Sequence, residues 1–166
     1  MELEIIKHRD ILFKDILRAV AIKSVAWPYP CESQLKWIID NISDSDEHVF
    51  LKDGGVDKAY MNLVKTTFIA NDTEYMAYQM INVCSVEKGK EFGRELMVLA
   101  NKYLEHKLHA GILFCSAALV PFFSKHGWEE IVCERLDVES LSDDVHIMTY
   151  LLPEPTISFQ YKGKLF

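Results

Sequence analysis

The sequence predicts a mixed α/β domain with one central sheet, and three observations support this. Two segments with apolar residues at helical spacing come first. Long segments rich in β-branched and aromatic residues follow. A third amphipathic helix then leads into shorter apolar strands. A length of 166 residues fits one domain, so we expect a single domain over 1–166.

The first part of the chain predicts a strand and two helices. Residues 2–9 form the expected opening strand, and apolar side chains between 11 and 27 follow a helical period. The stretch Trp27-Pro28-Tyr29-Pro30 must end this helix, because proline lacks an amide hydrogen and restricts the residue before it. A second helix is expected over 32–42.

The middle of the chain predicts three strands, over 48–52, 57–70 and 73–86. Asn71-Asp72 joins the last two and indicates a hairpin. Both faces of the segment 73–86 are mostly apolar, which is typical of a central strand that is covered on both sides. We expect a bulge or splay near 82–84.

The last part of the chain predicts two helices and three strands. The helices are expected from Phe92 to Leu104 and from Leu119 to His126, where Gly127 ends the second one. The strands are expected over 111–116, 130–138 and 145–152.

Composition narrows the classes of function. A formal net charge of −7 disfavours nucleic acid as a partner and is compatible with a cationic small substrate, although such acidity also serves solubility. The start of the chain lacks the pattern of a signal peptide and no apolar run reaches membrane-spanning length, so a cytoplasmic protein is expected. The four cysteines are widely spaced, which predicts buried thiols and neither a disulfide framework nor a metal site.

One segment has the features of a phosphate-binding site. In it, a buried strand is followed by a glycine-containing loop and then directly by an amphipathic helix. Exposed amides and the helix dipole favour a phosphate group at a helix start. Gly89 and Gly93 would let the backbone approach a ligand, and Lys88, Lys90 and Arg94 add positive charge. A plain strand-loop-helix connection with solvated lysines is the simpler interpretation of this segment taken alone.

The segment resembles the acyl-coenzyme A signature of the GNAT superfamily, a strand ending V-x-P followed by R-G-x-G-x-G/A and a helix. Val83, Lys88, Gly89 and Gly93 match, whereas Ser85 and Glu91 replace the usual proline and middle glycine. The second GNAT motif, F-Y-x-K-x-G-F, reads Phe-Phe-Ser-Lys-His-Gly-Trp over 122–128. The resemblance covers most of the chain and implies the GNAT fold.

The resemblance also implies a reaction, the direct transfer of an acetyl group from acetyl-CoA to an amine without a metal. The pantetheine arm would lie beside the strand that ends at 86, and the amide of Val83 would stabilise the oxyanion. Amides between Gly89 and Arg94 would hold the pyrophosphate. The implied cofactor-binding residues are Val83, Cys84, Ser85, Lys88, Gly89, Lys90, Glu91, Phe92, Gly93, Arg94, Ser116 and Phe123.

Two departures affect the expected catalytic groups. Phe123 stands where many members of the superfamily have a tyrosine that protonates the departing thiolate. The expected central strand has no carboxylate between Glu74 and Glu87 to serve as the base. Tyr78 or Asn82 could hold a water that carries the proton, although Tyr78 also fits a core position.

The acceptor side is less well defined. Trp27 and Tyr29 beside Glu32 could form one wall of a cleft for a polar amine, or could cap the helical layer. The tail 153–166 is a second candidate wall, and parts of the second half are similar to aminoglycoside 2′-N-acetyltransferases. Ser116 fits a contact to the cofactor arm or a buried serine bonded to its own backbone. The six histidines are expected at the surface.

Two functions from different classes remain open. One is an N-acetyltransferase that acts on a primary amine of a small molecule. The other is a GNAT-like module that binds acyl-CoA or a partner protein with little or no turnover. No metal, nucleic-acid or membrane partner is expected, and the expectations for assembly include a homodimer.

Overall fold

Four α-helices and nine β-strands make up the part of the chain that the computed structural model describes, residues 1–152 and 155–166. The helices are α1 (Phe13–Ala26), α2 (Cys31–Asn41), α3 (Phe92–Lys107) and α4 (Val120–Ser124). The strands are β1 (Glu2–Lys7), β2 (Glu47–Asp53), β3 (Val56–Ala70), β4 (Thr73–Ser85), β5 (Ala110–Ser116), β6 (Glu129–Glu130), β7 (Arg135–Val138), β8 (Val145–Tyr150) and β9 (Ser158–Tyr161).

The strands form one mixed sheet, which confirms the predicted fold class. Its main path runs β1-β2-β3-β4-β5-β8-β6, with β9 paired to β3 and β7 paired to β9. Strands β4 and β5 are parallel, whereas β1 with β2, β2 with β3 and β5 with β8 are antiparallel. The predicted position of β4 inside the sheet is also correct.

Local sequence signals placed most of the elements within a residue or two. Helix α1 ends at Ala26, directly before the proline-containing stretch, as predicted. Asn71 and Asp72 both have positive φ, 49° and 62°, which is the geometry of a tight hairpin turn between β3 and β4. Asparagine and aspartate tolerate this backbone conformation better than most other side chains.

The predicted strand over 130–138 is wrong, because this segment divides between two parts of the sheet. The two-residue strand β6 pairs with β8, whereas β7 pairs with β9. Strand β9 was not predicted at all. Its four residues continue the sheet beside the end of β3, where Phe159 and Gln160 pair with Ala70 and Ile69. The partners of β9 lie far away in the sequence, so no local signal shows the pairing.

The helix expected over 119–126 is shorter than predicted. A 3₁₀ turn over Ala117–Leu119 precedes α4, which ends at Ser124. Gly127 has a φ of 81°, which only a residue without a Cβ adopts at little cost, so it ends the segment as expected.

Residue contacts divide the described chain into two compact units. The first comprises residues 1–64 and 80–100, and the second comprises residues 65–79 and 101–166. In the first unit α1 contributes to two apolar clusters. Ala19 and Ile22 pack with Phe50, Tyr60 and Cys84. The other cluster contains Val20, Ile38, Ile42 and Ile81.

The second unit has its own core, built from aromatic side chains. Phe68, Phe159 and Tyr161 are each no more than 1% exposed and pack with Ala77 and Ile112. In the same unit, the indole nitrogen of Trp128 donates a hydrogen bond of 3.0 Å to Asn101 Oδ1. Because its indole N–H has a hydrogen-bond acceptor, this tryptophan can be fully buried.

Two predictions about individual side chains are wrong. The cysteines are not uniformly buried: Cys84 and Cys115 are, but Cys31 is exposed and Cys133 is half-buried. Both faces of the segment 73–86 were expected to be covered, but Met76 of β4 is 58% exposed. None of the described helices is both long and apolar enough to cross a membrane.

We predict that Gly111→Ala destabilises the protein, because a Cβ at this position would lie 2.4 Å from a carbon of the Trp128 ring. Overpacking of this kind costs about 1–3 kcal/mol, measurable as a change in the free energy of unfolding in urea. In a Trp128→Phe background the smaller ring makes room, so the same substitution should cost clearly less. Equal costs in both backgrounds would contradict the steric explanation.

Candidate functional site

Strand β4 contains a backbone conformation that interrupts its extended geometry. Asn82 has a φ of 56°, in the left-handed region. A non-glycine residue in this region is uncommon, and inside a strand it marks a bulge. The register between β4 and β5 pairs Ala77, Tyr78 and Gln79 with Ala110, Gly111 and Ile112. The distortion therefore lies beyond this pairing, at the position where a bulge or splay was expected.

A hydrogen bond from the side chain holds Asn82 in place. Asn82 Nδ2 donates to Asn62 Oδ1 of β3 at 2.9 Å. Asn62 is fully buried, and its own amide nitrogen lies 3.2 Å from His48 Nδ1. The hydroxyl of Tyr60 also lies 2.6 Å from His48 Nδ1, and His48 Nε2 lies 2.8 Å from His8 Nδ1. A polar chain therefore extends from the bulge, through the interior of the first unit, to half-buried His8.

The chemistry of the donors fixes the direction of this chain. The amide nitrogen of Asn62 can only donate, so His48 Nδ1 is an acceptor and carries no proton. The proton of the neutral ring is then on Nε2, which donates to His8 Nδ1. Every hydrogen bond from Asn82 to His8 therefore points away from the bulge. The Asn62 amide that receives Asn82 is therefore oriented by two acceptors, neutral His48 and the Glu47 carbonyl at 3.4 Å.

Burial keeps this chain uncharged. His48 is fully buried, and desolvation is the main cause that lowers its pKa to about 3, with smaller contributions from His8 and Lys23. Burial likewise raises the pKa of the Tyr60 hydroxyl well above its ordinary value. The expectation that every histidine lies at the surface is therefore wrong for His48.

The residues after the bulge lead to the predicted phosphate-binding loop. Cys84 is buried and donates from Sγ to the Tyr60 carbonyl at 3.7 Å, whereas Val83 and Ser85 are half-buried. The Ser85 hydroxyl donates to the carbonyl of Glu87 at 3.0 Å, which shapes the start of the loop. The amide of Val86 donates to the Lys58 carbonyl at 3.0 Å and fixes the end of β4 to β3.

The loop and the first turn of α3 combine exposed charge with an adaptable backbone. Lys88, Gly89 and Lys90 are exposed, and Gly89 has a φ of 77° with open space where a Cβ would project. Gly93 lies in the first turn of α3, directly after Phe92, and the ammonium of Lys58 lies 5.5 Å from the Phe92 ring. The start of α3 thus offers amide groups and nearby cations to an anion.

Acidic residues offset the positive charge of this loop: Glu87 and Glu91 lie in it, and Glu95 follows in the first turn of α3. The Glu91 carboxylate accepts a hydrogen bond from Arg94, and both side chains are exposed. Glu91 occupies the position where the superfamily signature usually has its middle glycine. Glu91 directly precedes α3, and its ion pair with Arg94 in the first turn of that helix orients the guanidinium.

The remaining expected cofactor residues lie in the second unit. Ser116 ends β5 and is exposed, so the interpretation of a buried serine bonded to its own backbone is wrong. Phe123 is 5% exposed, and its ring lies 5.1 Å from the Phe122 ring and 6.4 Å from the Trp128 ring. Tyr78 is 3% exposed, and its ring lies near Tyr103 and His109.

The expected acceptor wall follows α1. Trp27 is half-buried, and its carbonyl accepts a 2.9 Å hydrogen bond from the buried amide of Gln34. Tyr29 is 65% exposed and Glu32 is also exposed, so both side chains are available to a ligand. In the candidate tail over 153–166, residues 153 and 154 lie outside the described part of the chain.

Sequence reasoning missed two functional candidates in the first unit, His48 and Lys23. Both are buried polar residues inside amphipathic segments, where charged side chains ordinarily face water. One signal was present in the sequence, because Lys23 occupies a position on the apolar face of α1. Among the described residues, no group of histidine, cysteine, aspartate and glutamate side chains has the arrangement of a metal site.

Solved structures of similar fold are numerous. The chain resembles ElaA of Escherichia coli, with a TM-score of 0.62, 15% identity and coverage of 89% of this chain and 97% of that chain. It also resembles an aminoglycoside 6′-N-acetyltransferase complexed with coenzyme A, with a TM-score of 0.63, 13% identity and coverage of 93% and 99%. A third is the ribosomal-protein-S18-alanine N-acetyltransferase of E. coli, with a TM-score of 0.60, 16% identity and coverage of 99% and 100%.

These similarities show that the chain has the fold of GNAT N-acyltransferases, as the sequence motifs implied. No family model and no curated protein sequence matches the chain.

We predict that His48 makes the stability of the protein depend on pH. Its ordinary pKa is 6.5 and its folded pKa is about 3, so the unfolded chain binds more protons between these values. The free energy of unfolding should therefore be highest above pH 6.5 and fall by up to about 1.4 kcal/mol per unit as pH decreases below it.

Urea titrations at several pH values measure this dependence. His48→Gln should flatten it, whereas His106→Gln, at an exposed position of α3, should leave it unchanged. A wild-type slope that survives His48→Gln would contradict a buried neutral His48.

Proposed function

We propose that this chain transfers an acetyl group from acetyl-CoA to a primary amine of a small molecule. The observation that carries the proposal is the left-handed Asn82 in β4, directly before Val83 and the loop that enters α3. A bulge turns the following backbone groups out of the regular ladder and makes them available to a ligand. As part of this proposal, one domain spans 1–166 and no metal takes part.

The chain offers two sets of groups to acetyl-CoA. Main-chain groups of Val83, Cys84 and Ser85 would pair with the pantetheine arm, since the bulge precedes them directly. Amides between Gly89 and Arg94 would bind the pyrophosphate at the start of α3, with Lys88 and Lys90 as counter-charges. The residues fit this use, because the loop is exposed and Gly89 leaves open space for an approaching phosphate.

The amide of Val83 is the proposed hydrogen-bond donor to the thioester carbonyl oxygen. When the amine nitrogen attacks the thioester carbon, negative charge develops on the carbonyl oxygen, and a positioned N–H stabilises that charge. Collapse of the tetrahedral intermediate breaks the carbon–sulfur bond and yields the amide and coenzyme A. The side chain of Asn82 contributes indirectly, because its bond to Asn62 fixes the peptide that presents the amide.

The roles expected of Tyr78 and Asn82 in holding a water remain predictions. Among the described residues, Asn82 Oδ1 accepts no hydrogen bond, so it can accept one from a water or an ammonium group. The ring of Phe123 is buried and can pack against an apolar ligand but cannot donate a proton. Ser116 is the proposed further contact to the cofactor arm, and Trp27, Tyr29 and Glu32 are the proposed acceptor wall.

A second candidate function is a GNAT-like module that binds acyl-CoA without efficient turnover. Phe123 in place of a tyrosine and the lack of a carboxylate in β4 between Glu74 and Ser85 favour it. Both functions require the same cofactor site, so they differ only in whether thiol is released.

We predict that acetyl-CoA raises the melting temperature of the protein. Ligand at 100 times its dissociation constant should add about 2.7 kcal/mol to the free energy of unfolding. Gly93→Asp should remove most of this shift, because it places an anion in the first turn of α3, where the pyrophosphate is proposed to bind. Differential scanning fluorimetry with acetyl-CoA measures both.

A control variant tests whether the effect of the added negative charge depends on its position in α3. Lys102→Asp changes an exposed residue of α3 away from the loop and lowers the net charge further, yet it should keep the shift. A folded Gly93→Asp protein with an unchanged shift would contradict the placement of the pyrophosphate.

We predict that one class of amine releases thiol from acetyl-CoA in the presence of the protein. A suitable panel contains an alkylamine, a polyamine, an aminoglycoside and a peptide with a free N-terminus, and a thiol-reactive dye follows the product. Thiol release with a small amine supports the transferase, whereas a melting shift without release from any member supports the binding module.

A further inference from the structure

Lys23 is a buried lysine that has no role in the reaction proposed above. It lies near the end of α1 and is 5% exposed. Its ammonium lies 4.1 Å from the centre of the Trp37 ring of α2. Within residues 1–152 and 155–166, Lys23 has neither a hydrogen bond from Nζ nor an ion pair with a carboxylate. A buried ammonium without a counter-ion is costly, so a functional reason for its position is expected.

The spacing along α1 places Lys23 beside the distorted part of β4. Residues three and four positions apart share one face of a helix, so Lys23 lies on the same face of α1 as Val20 and Ala19. Ala19 packs in the cluster that contains Cys84, and Val20 packs in the cluster that contains Ile81. These two residues of β4 flank Asn82 and Val83. Lys23 also interacts electrostatically with Cys84, so α1 presents it to the face of β4 that contains this residue.

The groups around Lys23 allow its amine to exist without a proton. Desolvation lowers its pKa to about 8, and the only opposing contribution is electrostatic, from the Cys84 thiol of β4. From β2, neutral His48 faces the same interior, and from β3 the uncharged Tyr60 hydroxyl does so. Asp15, on the same helix, is bound to Arg18. A carboxylate partner would keep Lys23 permanently charged, and none is present among the described residues.

We propose that Lys23 is the general base of the acyl transfer, taking the proton from the acceptor amine as its nitrogen attacks the thioester. This inference rests on the proposed function. The neutral Nζ accepts one proton while the new carbon–nitrogen bond forms. Breaking of the carbon–sulfur bond releases the thiolate, and the Lys23 ammonium returns the proton to it as coenzyme A leaves. One residue thus fills the roles of the missing carboxylate and the missing tyrosine.

The Trp37 ring supports this assignment. During the step the lysine gains a positive charge, and an aromatic face at 4.1 Å stabilises a cation without holding its proton. An aromatic partner therefore favours the charged product of the step and leaves the amine free to act as a base beforehand. A different use of the same amine, binding an anionic group of the acceptor, predicts different behaviour of an arginine variant.

The test compares Lys23→Arg and Lys23→Met with wild type, using the amine of the panel that releases most thiol. Arginine keeps the charge but does not lose its proton in proteins. For wild type, kcat/KM should rise with pH and level off above about pH 8. Both variants should lose about 10²-fold or more in kcat and lose this limb of the pH profile. The melting shift with acetyl-CoA should remain.

A matched control and a direct titration complete the experiment. Lys14→Met removes an exposed lysine of the same helix and should leave the rate unchanged. NMR titration of lysine side chains, with the Lys23 signal assigned by its loss in Lys23→Met, should show one midpoint clearly below the others. If Lys23→Arg does not fold, Lys23→Met and the titration still decide.

The outcomes separate this inference from the proposed function. If the Lys23→Arg enzyme is active with the wild-type pH profile, Lys23 is not the general base. That result would indicate instead that its positive charge binds an anionic group of the acceptor. A Lys23 signal that titrates with the exposed lysines would also overturn the role of general base. Failure of the proposed function has a different signature, because the wild type itself would then release no thiol.

Discussion

The geometry of the candidate site depends on one constraint, the left-handed backbone of Asn82 inside strand β4. Such a conformation costs roughly 1–2 kcal/mol for a residue with a side chain, so other interactions must hold it. The hydrogen bond to Asn62 does this, and Asn62 is in turn bound to His48.

The interior of the first unit supports this constraint with neutral groups. Burial keeps His48 neutral, and the one proton of its neutral ring is directed to His8. A charged His48 could not accept from Asn62 and Tyr60, so the chain of hydrogen bonds is consistent with only one protonation state. Lys23 lowers the pKa of His48 further and lies beside the same strand. Desolvation by burial is the main cause of the lowered pKa of both residues.

Charge is distributed differently at the entrance to α3. The whole chain is acidic, whereas residues 87–95 are neutral overall, because three glutamates balance Lys88, Lys90 and Arg94. Their exposure leaves them well solvated, so their effect on stability is small and their effect on an approaching polyanion is larger. Glu91 moderates this effect by pairing with Arg94. The stretch around the start of α3 is thus a local exception to the acidic balance of the chain.

Local patterns in the sequence determined the order of the helices and most strands, the turn at Asn71-Asp72 and the loop between Val83 and Arg94. Each depends on residues that are close in the chain, such as a proline after a helix or glycines before one. Tertiary structure alone decided that 130–138 divides between two strands and that β9 joins the sheet, since both require distant partners. It also decided that His48 and Lys23 are buried. The sequence shows a polar residue in an amphipathic segment, but its ionisation depends on which distant side chains exclude water from it.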